Sequence, residues 1–153
     1  MDRKKNIFDR IGSLIPGYKG YAERDGRRNC DKQLRESIFA ELALIEKIVT
    51  KKILDAIKEK NKDLMRQLES KRKDLNTLSS KIKYAPYGES SFFSDKQIKE
   101  DELLEIYKFD LLIMETVKDF KEIEEISPNA IDIFNGKLSE LLDRRNAFIG
   151  EHR

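Results

Sequence analysis

The chain has 153 residues, 39% of them charged and 8% aromatic, with thirty-one basic and twenty-nine acidic side chains for a formal net charge of +2. Such a length suits a single domain, residues 1–153, and a Lys-, Glu-, Leu- and Ile-rich composition is typical of long helices and coiled coils. One cysteine, Cys30, excludes an internal disulfide framework, and one histidine, His152, next to the last residue, leaves no His-based triad or carboxylate–histidine metal bundle.

The start, Met1 to Lys5, runs into alternating charged and apolar residues with no continuous hydrophobic segment for secretion, and no apolar run approaches bilayer length. The expected compartment is the cytoplasm, with the peripheral face of the inner membrane as the alternative. Ile7, Phe8, Ile11, Leu14 and Ile15 recur at helical spacing among Arg3, Lys4, Lys5 and Arg10, predicting a short amphipathic helix. Its apolar face either packs on the long helix that follows, covering the early part of it, or lies on an anionic membrane.

Pro16-Gly17-Tyr18-Lys19-Gly20-Tyr21 reads as a turn between helices whose tyrosines pack on the first one. It has the Gly-x-x-Gly spelling of a nucleotide-clamping KH loop, but no strand is evident to build that fold, and the glycine spacing is wrong for a phosphate loop.

From about residue 22 to 83 there is no proline and, after Gly26, no glycine. Leu34, Ile38, Leu42, Ile45, Val49, Ile53 and Ala56 are spaced 4-4-3-4-4-3, an eleven-residue repeat; after Asn61 the seam becomes a heptad through Leu64, Leu68, Lys71, Leu75, Leu78 and Ile82. The expectation is one very long helix of about 90 Å, with a looser middle where Asn61 and Lys71 occupy the seam.

Arg27, Asp31 and Arg35 share one face of that helix at i, i+4 and i+8, with Arg28 at its edge. They form either a guanidinium cluster that holds a phosphate or carboxylate, or an ion ladder fixing the first helix or Asp143-Arg144-Arg145 against this one. Cys30 reads as a buried structural thiol, the alternative being a thiolate favoured by those arginines.

Residues 84–95 contain Tyr84, Tyr87, Phe92 and Phe93, too many aromatics for a solvated connector. They plug the end of the fold or form a docking patch, and Ser94 or Asp95 would cap the next helix. Helices are predicted over about 95–126 and 128–149, Ser127 capping the second and Pro128 opening it. Leu103 to Met114 is apolar on nearly every side, so its Asp110 should meet a hydrogen-bond or ion-pair partner on the lysine-rich long helix. The last helix either continues past a kink at Pro128 to cover Leu34 to Ile48, or reverses there and leaves that cover to a second copy.

Charge is uneven: +5 over residues 1–35, +4 over 36–83, −7 over 84–126 and zero thereafter. An acidic helix lying against a basic one accounts for this without nucleic acid.

Gly17 to Tyr21, then Arg27-Arg28-x-x-Asp31-x-x-Leu34-Arg35, then an aromatic Phe92-Phe93 segment and the run DELLEIYKFDLLIME resemble an uncharacterised bacterial family of all-helical proteins. The family pattern reads Gly-Tyr-x-Gly-Tyr, Arg-Arg-x-x-Asp-x-x-Leu-Arg, Gly-Phe-Phe-Asp and Leu-Tyr-x-x-Asp. Ser91-Phe92-Phe93-Ser94-Asp95 departs from its third element. The resemblance covers most of the chain and implies a helical fold and a setting near membrane-associated scaffold proteins; it implies no activity.

The expected fold is all-α, an elongated antiparallel bundle or coiled-coil hairpin built on the long helix. The expected function is a non-enzymatic scaffold or protein-interaction module without catalytic, cofactor or metal residues, its partner a protein, a second copy or an anionic membrane, with nucleic acid disfavoured. Candidate partner or anion contacts are Tyr18, Lys19, Tyr21, Arg27, Arg28, Asp31 and Arg35, and the candidate aromatic docking residues are Tyr84, Tyr87, Phe92 and Phe93.

Overall fold

The computed structural model describes residues 3–84 and 98–151, with side chains over 6–84 and 98–150, and no strand occurs among the described residues. The described residues form five helices, α1 (Arg3–Leu14), α2 (Arg27–Lys58), α3 (Lys62–Lys83), α4 (Glu100–Lys121) and α5 (Pro128–Glu151), with a short 3-10 turn, Arg24–Gly26, leading into α2.

The single long helix expected over about 22–83 is instead two helices that turn back on each other. Residues 59–61 end α2 without glycine or proline. The Asn61 N–H bonds to Ala56 O at 2.9 Å and the Lys60 N–H to Ile57 O at 3.1 Å, the paired closure of a Schellman motif. Lys60 takes the left-handed position with φ 60°. Asn61 is no loose seam residue; its side-chain oxygen accepts the Leu64 N–H at 3.2 Å and caps α3. Contacts across the pair fix the antiparallel direction: Asn76 donates to Glu46 at 3.3 Å, Arg72 lies 3.9 Å from the same carboxylate, and Lys83 sits over the Phe39 ring at 4.7 Å.

Folding back solves the coverage problem inside one chain. Leu34, Ile38, Leu42, Ile45 and Val49 are almost completely buried, as are Leu68 and Leu75 of α3. A second copy is not required for them. Helix α2 touches α3 and α4, and α5 touches the same two, so four helices close around one core; α1 lies outside against α4 and not, as expected, along the long helix, whose early stripe these neighbours already cover. The ion pairs Lys118–Glu41 (3.3 Å) and Lys71–Asp132 (3.0 Å) join α4 to α2 and α3 to α5. Among the described residues the expected acidic-against-basic pairing is seen in Arg10–Glu115 between α1 and α4. Between α2 and α4 the sense is reversed, because Glu41 of the basic helix takes Lys118 and Lys121 of the acidic one.

Pro128 marks a full reversal. The Phe120 and Phe134 rings meet edge-on with centroids 4.2 Å apart, and Phe109 lies 6.0 Å from Phe148, so α5 runs antiparallel to α4. Ser127 Oγ accepts the Ala130 N–H at 3.0 Å, capping α5 at the expected position. Helix α4 begins at Glu100, where the Lys99 N–H bonds to the Glu102 carboxylate at 3.2 Å; the caps expected at Ser94 or Asp95 lie outside the described residues.

Lys60→Gly separates hairpin from rod by the sign of its effect. At a left-handed C-terminal position it should stabilise by about 1 kcal/mol by removing the Cβ penalty, whereas inside a continuous helix it would destabilise by a similar amount. Urea unfolding of the two proteins gives the sign directly.

Candidate functional site

Most of the motif residues around the Gly-Tyr turn, Tyr18, Tyr21, Arg27 and Asp31 among them, point inward, and the two tyrosines and Asp31 converge on Asp110 of α4 and Arg145 of α5. Gly17 and Gly20 adopt φ 79° and 82°, which lets the chain double back from α1. A Cβ on Gly20 would stand 2.5 Å from the Tyr107 hydroxyl and 2.6 Å from Phe8, so the close approach of the turn to α4 depends on having none. Tyr18 and Tyr21 thereby reach Asp110, each donating to Oδ2, at 2.8 and 2.6 Å. Tyr107 fixes the backbone of the turn by accepting the Tyr21 N–H at 3.0 Å, and Arg27 Nε binds the Tyr21 carbonyl at 2.8 Å.

Arg145 completes the cluster from α5. Its Nε donates to Asp110 Oδ1 at 2.7 Å and its Nη2 to the Tyr21 hydroxyl at 2.9 Å. The same nitrogen lies 2.9 Å from Asp31 Oδ1 as an ion pair without hydrogen-bond alignment, while Asp31 Oδ2 accepts Arg35 Nε at 2.9 Å. Asp110 is 0% exposed and Arg145 1%. Burial alone would depress the Arg145 guanidinium, but Asp110, Tyr21 and Asp31 hold it well above its usual value. Burial, reinforced by the Asp110 charge, raises Tyr18 and Tyr21 well above the ordinary tyrosine range. Burial also pushes the Cys30 thiol up to about 12, which makes it a structural thiol and not a nucleophile.

Of the seven proposed contact residues, Tyr18, Tyr21, Arg27 and Asp31 are buried and Arg35 is half-buried; only Lys19 and Arg28 face solvent. The ion ladder to the C-terminal segment exists, through Arg145. Asp110, expected to meet a lysine of the long helix, is satisfied by Arg145, Tyr18 and Tyr21. The sequence reasoning missed the Asp110–Arg145 pair, although each is the odd charge on an apolar helix stripe. Of the aromatic segment, Tyr84 is 74% exposed, and Tyr87, Phe92 and Phe93 lie outside the described residues. Among the described residues no group of three or more His, Cys, Asp or Glu is placed to hold a metal ion.

The surface feature of a different kind is a groove of about 340 Å³ between the end of α4 and the start of α5. The Phe120–Phe134 ring pair forms its floor, Thr116, Ile123, Ala130 and Ile133 line it, and Asp119 and Lys137 stand on its rims. Ile133 is 64% exposed and Ile123 45%, and Leu112, also exposed, extends the α4 stripe. No family model, curated protein or solved structure matches this chain.

Two outcomes test the buried cluster. Asp110→Asn or Arg145→Met, each stranding the opposite charge, should cost about 3–5 kcal/mol in urea unfolding, with the double change costing less than the sum. With Tyr18, Tyr21, Tyr107 and Cys30 all raised in the folded state, the unfolded chain gives up these protons first. Their contribution is therefore fully present below the unfolded thiol value of 9.0 and is lost as pH rises through the tyrosine value of 10.0 and beyond. The urea midpoint should fall steeply between about pH 8 and about pH 11, and phenolate absorbance from the three buried tyrosines should appear only with unfolding.

Proposed function

We propose that this chain is a non-enzymatic scaffold or interaction module, an antiparallel helical bundle whose contact surface is the apolar groove at the α4–α5 turn. The observation that carries the reading is Ile133. A β-branched apolar residue left 64% exposed beside a second exposed isoleucine and two ring faces withholds about 1–3 kcal/mol of burial, which a docked partner would recover. The buried cluster has the complementary role of holding the bundle's shape. The resemblance to the all-helical family enters on the same terms: its motif residues Tyr18, Tyr21, Arg27, Asp31 and Arg35 are those of the cluster, so the likeness is one of scaffold. A cytoplasmic setting belongs to the proposal too.

Membrane binding through α1 ranks lower because Ile11 and Ile15, which would have to enter the lipid, are buried in the protein. Among the described residues no helix is long and apolar enough to cross a membrane.

A photo-crosslinking residue at position 133, introduced in cells, should yield a discrete protein adduct that Ile123→Glu abolishes. The same residue at exposed Leu54 of α2 is the control. No adduct at 133, or equal adducts at 133 and 54, overturns the groove as a contact surface.

A further inference from the structure

The rims of the groove carry one charge each and of opposite sign, Asp119 on α4 and Lys137 on α5. Both are exposed, and among the described residues neither forms an ion pair or side-chain hydrogen bond, unlike Lys118, Lys121 and Asp132 nearby, which are paired. The antiparallel register set by Phe120 against Phe134 and Asp110 against Arg145 places Lys137 level with about residue 117 of α4. Asp119 and Lys137 therefore face each other across the groove at heights differing by about 3 Å.

A two-fold axis running along the groove, parallel to α4 and α5 and in the plane of its mouth, sets two copies face to face and exchanges the left and right rims. Passed between these two residues, it carries Lys137 of each copy over Asp119 of the other. The same rotation carries Ile133 to the opposite rim at its own height, level with about residue 121 of α4 and beside the exposed Ile123. Charge and apolar surface are matched by one operation, and the contact closes on itself, as an isologous interface must. A partner segment of uniform charge would meet one rim charge of its own sign.

We propose that the occupant of the groove is a second copy of this chain, forming a two-fold dimer through Ile133 and reciprocal Asp119–Lys137 pairs. This rests on the groove being a contact surface. The dimer differs from a second copy supplied to cover Leu34 to Ile48, since that stripe is already buried within one chain.

Sedimentation equilibrium on the purified full chain at low salt tests it. A patch of this size predicts a weak dimer, half-formed on the order of 10–100 µM, whose affinity falls as salt screens the rim pairs. Ile133→Glu should leave only monomer. Asp119→Lys alone and Lys137→Glu alone, each opposing like charges twice across the axis, should weaken association about tenfold or more, and the combined swap should restore it. Three results overturn the proposal: a monomer up to about 500 µM, a dimer indifferent to Ile133→Glu, or a swap that fails to restore association. The crosslinker at position 133 separates the two levels. An adduct to a different protein from a chain that is monomeric when purified removes the self-pairing and keeps the groove; no adduct of any kind removes both.

Discussion

The contact on which the molecule turns is Asp110 to Arg145, 2.7 Å apart and sealed from solvent. Two buried charges gain little net stability from each other, because desolvation cancels most of their attraction. Their effect is on uniqueness. Apolar ladders such as Leu103 to Met114 on α4 and Ile131 to Phe148 on α5 can slide by a turn and still cover each other. A slipped register would leave a carboxylate and a guanidinium bare in the core, at a cost of several kcal/mol. Asp31 brings α2 into the same lock from across the core, and the hydroxyls of Tyr18 and Tyr21 tie in the turn that returns from α1. Four separate stretches of chain are thereby held by one cluster.

How much of this was legible depends on whether the cause was local. The α5 start was, because Ser127 and Pro128 are cap and first-turn residues whose roles need no partner. The all-helical character and the inward stripe of α2 were legible from periodicity for the same reason. The hairpin was not. A Schellman turn usually declares itself by glycine, and here Lys60 occupies the left-handed position with φ 60°. The only trace is the change at Asn61 from an eleven-residue to a seven-residue repeat. Within one rod this reads as a change of supercoil; in fact it separates two helices, each periodic on its own terms. Packing of α2 against α3 outweighs the strain at Lys60, a tertiary cause that no local window contains.

The arginine face failed to declare its direction in a related way. Spacing shows that Arg27, Asp31 and Arg35 lie on one side of α2, but whether that side meets water depends on what approaches it. What approaches Asp31 is Arg145, more than a hundred residues later on a helix diagonal to it in the bundle. The signal that could have found the pair was in the apolar seams: Asp110 and Arg145 each put a charge in the middle of an apolar stripe, on successive helices. Two such charges of opposite sign imply each other, because neither can be buried alone.

The groove and the cluster are linked by the helices they share. Asp110 lies about ten residues before Phe120 along α4, so roughly 15 Å separates the sealed ion pair from the groove floor. Between them α4 and α5 are fixed at two points, the ion pair and the Phe120–Phe134 rings, and two points suffice to set axial register. The levels of Asp119 and Lys137 follow from that register and not from any contact of their own. A surface whose matching charges are aligned from within meets a partner without first ordering its helices, which removes part of the entropic cost of association.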